Sequence, residues 1–114
     1  MDTATFLGAK VPVEIKKLFP IFGKIPQPTA QQILVFTIQI LKGEEVDEEK
    51  FDKFAIKLQL DKQVLSIALT AFFILLKSAI RSRVKLDVVE KDLTELKFPS
   101  YIIGDIVKVL KTRY

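Results

Sequence analysis

The thirteen residues from Val64 to Leu76 contain no charge, and this stretch limits the fold more than any other part of the chain. Lys62 and Gln63 precede it and Lys77 follows it. A membrane-spanning helix needs about 20 mainly apolar residues, so this run is short for a bilayer. A helix that is apolar on nearly every face instead belongs at the centre of a bundle, with other helices supplying the apolar surroundings. No membrane insertion is expected.

The rest of the chain must supply that surrounding. At 114 residues and 49% hydrophobic, it is long enough for one compact domain with a core of its own. The chain has no cysteine, which excludes disulfides, thiolate metal sites and cysteine nucleophiles. It also has no histidine, which removes the commonest general base and the commonest transition-metal ligand. Ser66, Ser78, Ser82 and Ser100 therefore lack the usual activating partner. No Gly-rich phosphate loop or G-x-S-x-G elbow occurs. The expectation is a protein that is not an enzyme and holds no cofactor or metal. Met1 to Phe6 show no basic segment leading into an apolar one, so no secretory signal is read there.

Proline organises the first third. Pro12 suits a first helical turn and Pro20 a helix end, giving a short helix over about 12–19. Pro20 to Pro28 reads as a connection. Thr29 with Gln32 forms a T-x-x-Q capping box, and Gly43 lies past the far end of the segment it opens. Within that segment Leu34, Phe36, Ile38 and Ile40 alternate as a strand would. However, Gln31, Gln32, Gln39 and Lys42 share one helical face, and no partner strand or hairpin dipeptide exists. Helix is the better reading.

Asp47 caps the next helix, whose apolar face is Phe51, Phe54, Ala55 and Leu58. Asp61 caps the central helix, which runs to about Ser82. Asp87 and Glu90 resemble a capping box ahead of a short helix presenting Val88, Val89, Leu93 and Leu96. The last helix starts near Pro99 and buries Ile102, Ile103, Ile106, Val107 and Leu110, with Asp105, Lys108 and Lys111 opposite. Gly104 on its polar side has two readings. Either a neighbouring backbone or a partner approaches there, or the helix begins later with Asp105 as its cap. The fold class is all-α: a compact orthogonal bundle of about six helices around a central apolar one.

The charged clusters carry little specific chemistry. Glu44, Glu45, Asp47, Glu48, Glu49 and Asp52 follow Gly43 rather than flanking it, so no calcium-loop order is present, and a solvated helix start is expected. Lys77, Arg81, Arg83, Lys85, Lys108 and Lys111 form the candidate partner surface. Cations near helix C-termini are favourable through the dipole alone, so a solvated face comes first. An acidic protein partner comes second, and nucleic acid or anionic lipid third, because exposed aromatics for stacking are lacking. With a net charge of only +4, a small basic nucleic-acid- or lipid-binding helical domain is the alternative rather than the leading reading.

Three collinear segments carry a family resemblance. Phe6-Leu7-Gly8-Ala9-Lys10-Val11-Pro12-Val13-Glu14 resembles an F-L-G-A-x-[LV]-P-x-E opening, and Leu41-Lys42-Gly43-Glu44-Glu45 resembles an L-x-G-E-[DE] helix end. Phe98-Pro99-Ser100-Tyr101-Ile102-Ile103-Gly104-Asp105-Ile106 is similar to an [IF]-P-x-x-[LI]-[VI]-G-D-[LI] segment. Together they resemble the helical N-terminal (HN) domain of the COMM-domain-containing protein family, in the form carried by its member five. The residues bearing the resemblance most directly are Phe6, Leu7, Gly8, Pro12, Pro99, Gly104 and Asp105.

The resemblance implies that residues 1–114 are one HN domain, with the C-terminal COMM domain absent from this chain. It implies a protein-interaction scaffold of the Commander assembly, active in endosomal cargo recycling and protein transport and associated with NF-κB regulation. Other COMM-domain paralogues and coiled-coil scaffold subunits are the implied partners, in the cytoplasm and at endosomes. This chain alone is expected to be a monomer, since the COMM domain makes the family's dimers. The copper association of the family finds no support in a chain without histidine or cysteine.

Overall fold

The computed structural model describes residues 13–113, so Phe6, Leu7, Gly8 and Pro12 of the opening motif lie outside the described residues. Among the described residues six α-helices follow one another: α1 (Val13–Lys16), α2 (Gln27–Leu41), α3 (Glu48–Leu58), α4 (Lys62–Ser82), α5 (Leu86–Glu95) and α6 (Ser100–Arg113). A 3-10 helix, Phe19–Lys24, stands between α1 and α2. No strand occurs among the described residues, in agreement with the all-α expectation.

Helix α4 is the axis. It packs against α1, α2 and α3, while α2 also packs on α6, and α6 on α5. Leu65, Ala68, Ala71, Phe72, Leu75, Leu76 and Ala79 of α4 are all buried. By length and composition α4 is apolar enough to cross a membrane, yet its apolar side chains meet neighbouring helices instead. It is not enclosed all round: Ser66, Thr70 and Lys77 are exposed on one strip, with Phe73 half-buried beside them. The Lys77 ammonium lies over the Phe73 ring, 5.5 Å from its centroid. One apolar cluster draws side chains from every helix.

The strand-like segment in α2 is helical because its buried stripe is Ala30, Ile33, Leu34, Thr37 and Ile38, spaced i, i+3, i+4, i+7, i+8. Buried Thr37 satisfies itself by donating from Oγ1 to the Ile33 carbonyl (2.7 Å).

Caps decide the boundaries. Asp47 Oδ1 accepts from the Lys50 N–H (2.8 Å), and Asp61 Oδ1 from the Gln63 N–H (2.7 Å), as the sequence predicts. Two other expected caps are displaced. Helix α2 starts at Gln27 with Pro26 as its N-cap, so Thr29 lies inside the first turn and caps nothing. Extended Pro26 (φ −64°, ψ 161°) already accepts the first helical bond, and Pro28 sits where an N–H is not needed. Helix α5 starts at Leu86, which places Asp87 inside the helix, where its Oδ1 accepts from the adjacent Val88 N–H (3.1 Å). Val88, expected on the apolar face, is exposed.

Pro20 also behaves differently from expectation. The expected helix over 12–19 is cut short, since α1 already ends at Lys16, and Pro20 stands in the first turn of the 3-10 helix, whose Ile21 and C-cap Ile25 are buried in the core. The segment is a structural element, because proline in a first turn removes no needed donor.

Candidate interaction surface

The Phe98–Ile106 segment ties three parts of the fold together. Lys97 adopts a left-handed conformation (φ 66°), and the Phe98 N–H donates back to the Leu93 carbonyl (3.1 Å), closing α5. That turn delivers Phe98 edge-on to Phe19 and Phe22, with ring centroids 5.3 and 5.4 Å away. The Pro99 carbonyl accepts from the Ile102 and Ile103 N–H groups (3.0 and 3.1 Å) and so opens α6. The Tyr101 hydroxyl donates to the Ile25 carbonyl (3.0 Å) at the end of the 3-10 helix. The aromatic and proline positions of the motif are therefore explained by packing.

Gly104 lies inside α6, so the reading in which the helix begins at Asp105 is wrong. It is exposed, and a Cβ built on it would meet no heavy atom within 4 Å. No neighbouring segment of the described chain requires a glycine here.

Asp105 corrects the expected solvent face of α6. It is only 6% exposed, in a stripe with Ile102, Ile106 and Val109, all buried. Its Oδ1 accepts from Gln31 Nε2 of α2 (3.1 Å), and its buried Oδ2 has no hydrogen-bond partner among the described residues. Alternation of polar and apolar positions could not reveal this. What places Asp105 inside is the approach of α2 to α6, a contact 74 residues long in sequence.

The six basic residues of the expected partner surface are all exposed. Lys77 and Arg81 lie on the second half of α4, Arg83 caps its end in a left-handed conformation (φ 51°), and Lys85 caps the start of α5. Arg83 shares a shallow depression of about 240 Å³ with Leu86 and Leu110, which brings the α4–α5 corner next to the half of α6 that carries Lys108 and Lys111. Acidic residues of the 44–52 cluster serve local ends. Asp47 is a cap, Glu49 pairs with Lys53 (3.1 Å) and Asp52 pairs with Lys62 (3.0 Å). No acidic group that could hold a metal ion forms among the described residues.

A second surface was not singled out from the sequence. Between α2 and α3 runs an open groove of about 430 Å³. Phe36 and Phe54 form its floor, their rings stacked 4.2 Å apart at 10°. Val35, Gln31 and Gln39 of α2 line one side, and Lys57 of α3 the other. The shared polar face of the glutamines was visible in the sequence. Phe54 read as a core residue, and nothing in the pattern told which helix it would meet or how much of it stays open.

Comparison with known proteins places this architecture. The chain is 28% identical over 109 residues to COMM domain-containing protein 5 of Homo sapiens, covering 93% of this chain and 48% of that protein. It is 25% identical over 112 residues to COMM domain-containing protein 5 of Bos taurus, covering 96% of this chain and 50% of that protein. The chain thus spans about half the length of the curated relatives it matches. No solved structure matches it. The family model described as "COMMD2-7/10, HN domain" matches residues 9–110, nearly the whole of the helical bundle, and the chain belongs to that COMM-domain HN family.

Proposed function

We propose that this chain is a non-enzymatic protein-interaction module of a COMM-domain protein, acting in a Commander-type assembly that recycles membrane cargo from endosomes. The observation that carries the reading is the family match along residues 9–110, which runs through nearly the whole described bundle. The residue types support it. Without cysteine or histidine the chain is poorly equipped for nucleophilic or metal chemistry, and its exposed features are charged helix faces and an open groove. Other COMM-domain proteins and coiled-coil scaffold subunits are the partners of this reading. The location is cytoplasmic and endosome-associated, and a part in NF-κB regulation belongs to the same assembly. The module by itself is a monomer, so its mass in solution equals that of one chain.

The test compares the full-length protein with a version lacking residues 13–113. Co-purification of the coiled-coil subunits and surface return of an internalised receptor are measured for both. Loss of either on deletion supports the reading. Both unchanged would discard it.

A further inference from the structure

We propose that the groove between α2 and α3 docks a segment of another protein in which an acidic residue stands beside an apolar one. The proposal rests on the reading of this chain as an interaction module and names the chemistry of what one of its faces takes.

The groove is built for such a segment in three respects. First, its floor is apolar. Buried Phe36 and half-buried Phe54 stack face to face with Val35 alongside, offering an apolar side chain a surface already partly dehydrated. Second, its charge has one sign. Lys57 is exposed, makes no ion pair with a described residue, and no acidic side chain lines the groove; α2 has no acidic residue from Gln27 to Leu41. A carboxylate seated near Lys57 meets attraction with no acidic side chain lining the groove, the Asp105 carboxylate behind the rim being engaged by Gln31. One lysine is too few for a nucleic-acid backbone, which needs several phosphates neutralised together.

Third, an amide on the rim is set in advance. The Asp105 carboxylate can only accept, so Gln31 must give it Nε2, and Oε1 remains to accept from a partner N–H. Asp105 is costly as a purely structural residue. A buried carboxylate oxygen without a partner is destabilising relative to a satisfied one, and Asp105 stands in an otherwise apolar stripe between Ile102 and Ile106. Its one visible bond fixes Gln31, which makes Asp105 a positioning residue for the groove. The groove is open along its length, which suits a peptide better than an enclosed small molecule.

The probe is a random library of peptides of roughly twelve residues, displayed on phage and panned on the 114-residue protein. Enriched sequences are expected to carry Asp or Glu within two positions of Leu, Ile or Phe. The synthesised winner should perturb the side-chain amide NMR signals of Gln31 and Gln39. Lys57→Glu should weaken it about ten-fold, and exchanging the peptide's acid for lysine should restore binding to Lys57→Glu. Asp105→Ala should weaken the peptide while leaving the melting temperature equal or higher, a combination that a purely structural Asp105 would not give.

Enrichment of basic or uncharged peptides, a footprint on another face, no enrichment at all, or affinity unmoved by Lys57→Glu would each overturn the proposal. Failure here with partner loss on deletion of residues 13–113 leaves the module reading standing and removes only the groove. Peptide binding in the groove with an unchanged assembly on deletion does the reverse.

Discussion

Gln59, Arg83 and Lys97 hold φ values of 56°, 51° and 66° at the ends of α3, α4 and α5, in the left-handed region that glycine occupies at the end of α2 (Gly43, φ 101°). Each of the three closes its helix with the same pair of back-bonds. For α4 these run from the Arg83 N–H to the Ile80 carbonyl and from the Val84 N–H to the Ala79 carbonyl (3.2 and 3.3 Å). A side chain in this conformation costs about 1–2 kcal/mol, part of which glycine's greater unfolded-state entropy would offset. Arg83→Gly is therefore expected to raise stability by about 0.5–1 kcal/mol, read as a higher urea midpoint at unchanged slope. Gly104 is the converse case, a glycine in an exposed helix interior with space for a Cβ. Gly104→Ala should stabilise the protein by about 0.5–1 kcal/mol and raise its melting temperature by about 4 °C. If the same variant loses a partner that the wild type retains, the bare backbone at Gly104 is a contact surface. The left-handed positions were not legible in the sequence, and Gly104 was legible only as a glycine on the polar side of the last helix. Gln, Arg and Lys give no left-handed signal, and the open space around Gly104 is a property of the neighbours.

At the scale of elements, caps show how far local chemistry reaches. Asp47 and Asp61 were readable because an Asp with a β-region backbone before an apolar-periodic run has one productive partner, an N–H two or three residues on. Asp87 looked the same but lies one residue inside α5, because Leu86 packs against the core and draws the helix start back to Lys85. The two cases separate experimentally. Asp61→Ala should cost about 1 kcal/mol in chemical denaturation, whereas Asp87→Ala should cost less than about 0.5 kcal/mol. The strand-like alternation of Leu34, Phe36, Ile38 and Ile40 likewise yields to its surroundings. Without a second strand to pair its backbone, the segment satisfies its own N–H and C=O groups as a helix.

Across the whole molecule, α4 holds the bundle together, and Phe72 at its middle is fully buried. Phe72→Ala should cost about 3–5 kcal/mol, enough to leave a domain of this size largely unfolded near 37 °C by circular dichroism. A loss below about 1 kcal/mol would mean that the core closes elsewhere. The composition and the spacing of apolar residues by themselves determined the helical class, the helix order, the central place of Val64–Leu76 and most core residues, since a period of 3.6 dictates which side chains can be buried together. The motifs carrying the family resemblance were local and so equally readable. Only the tertiary structure decided that Asp105 is buried on Gln31, that Tyr101 pins the 3-10 helix, and that Phe36 and Phe54 form the floor of an open groove. Each of these joins residues of different helices. Their positions depend on how helices cross, and crossing angles follow from the packing of all the side chains at once rather than from any one segment.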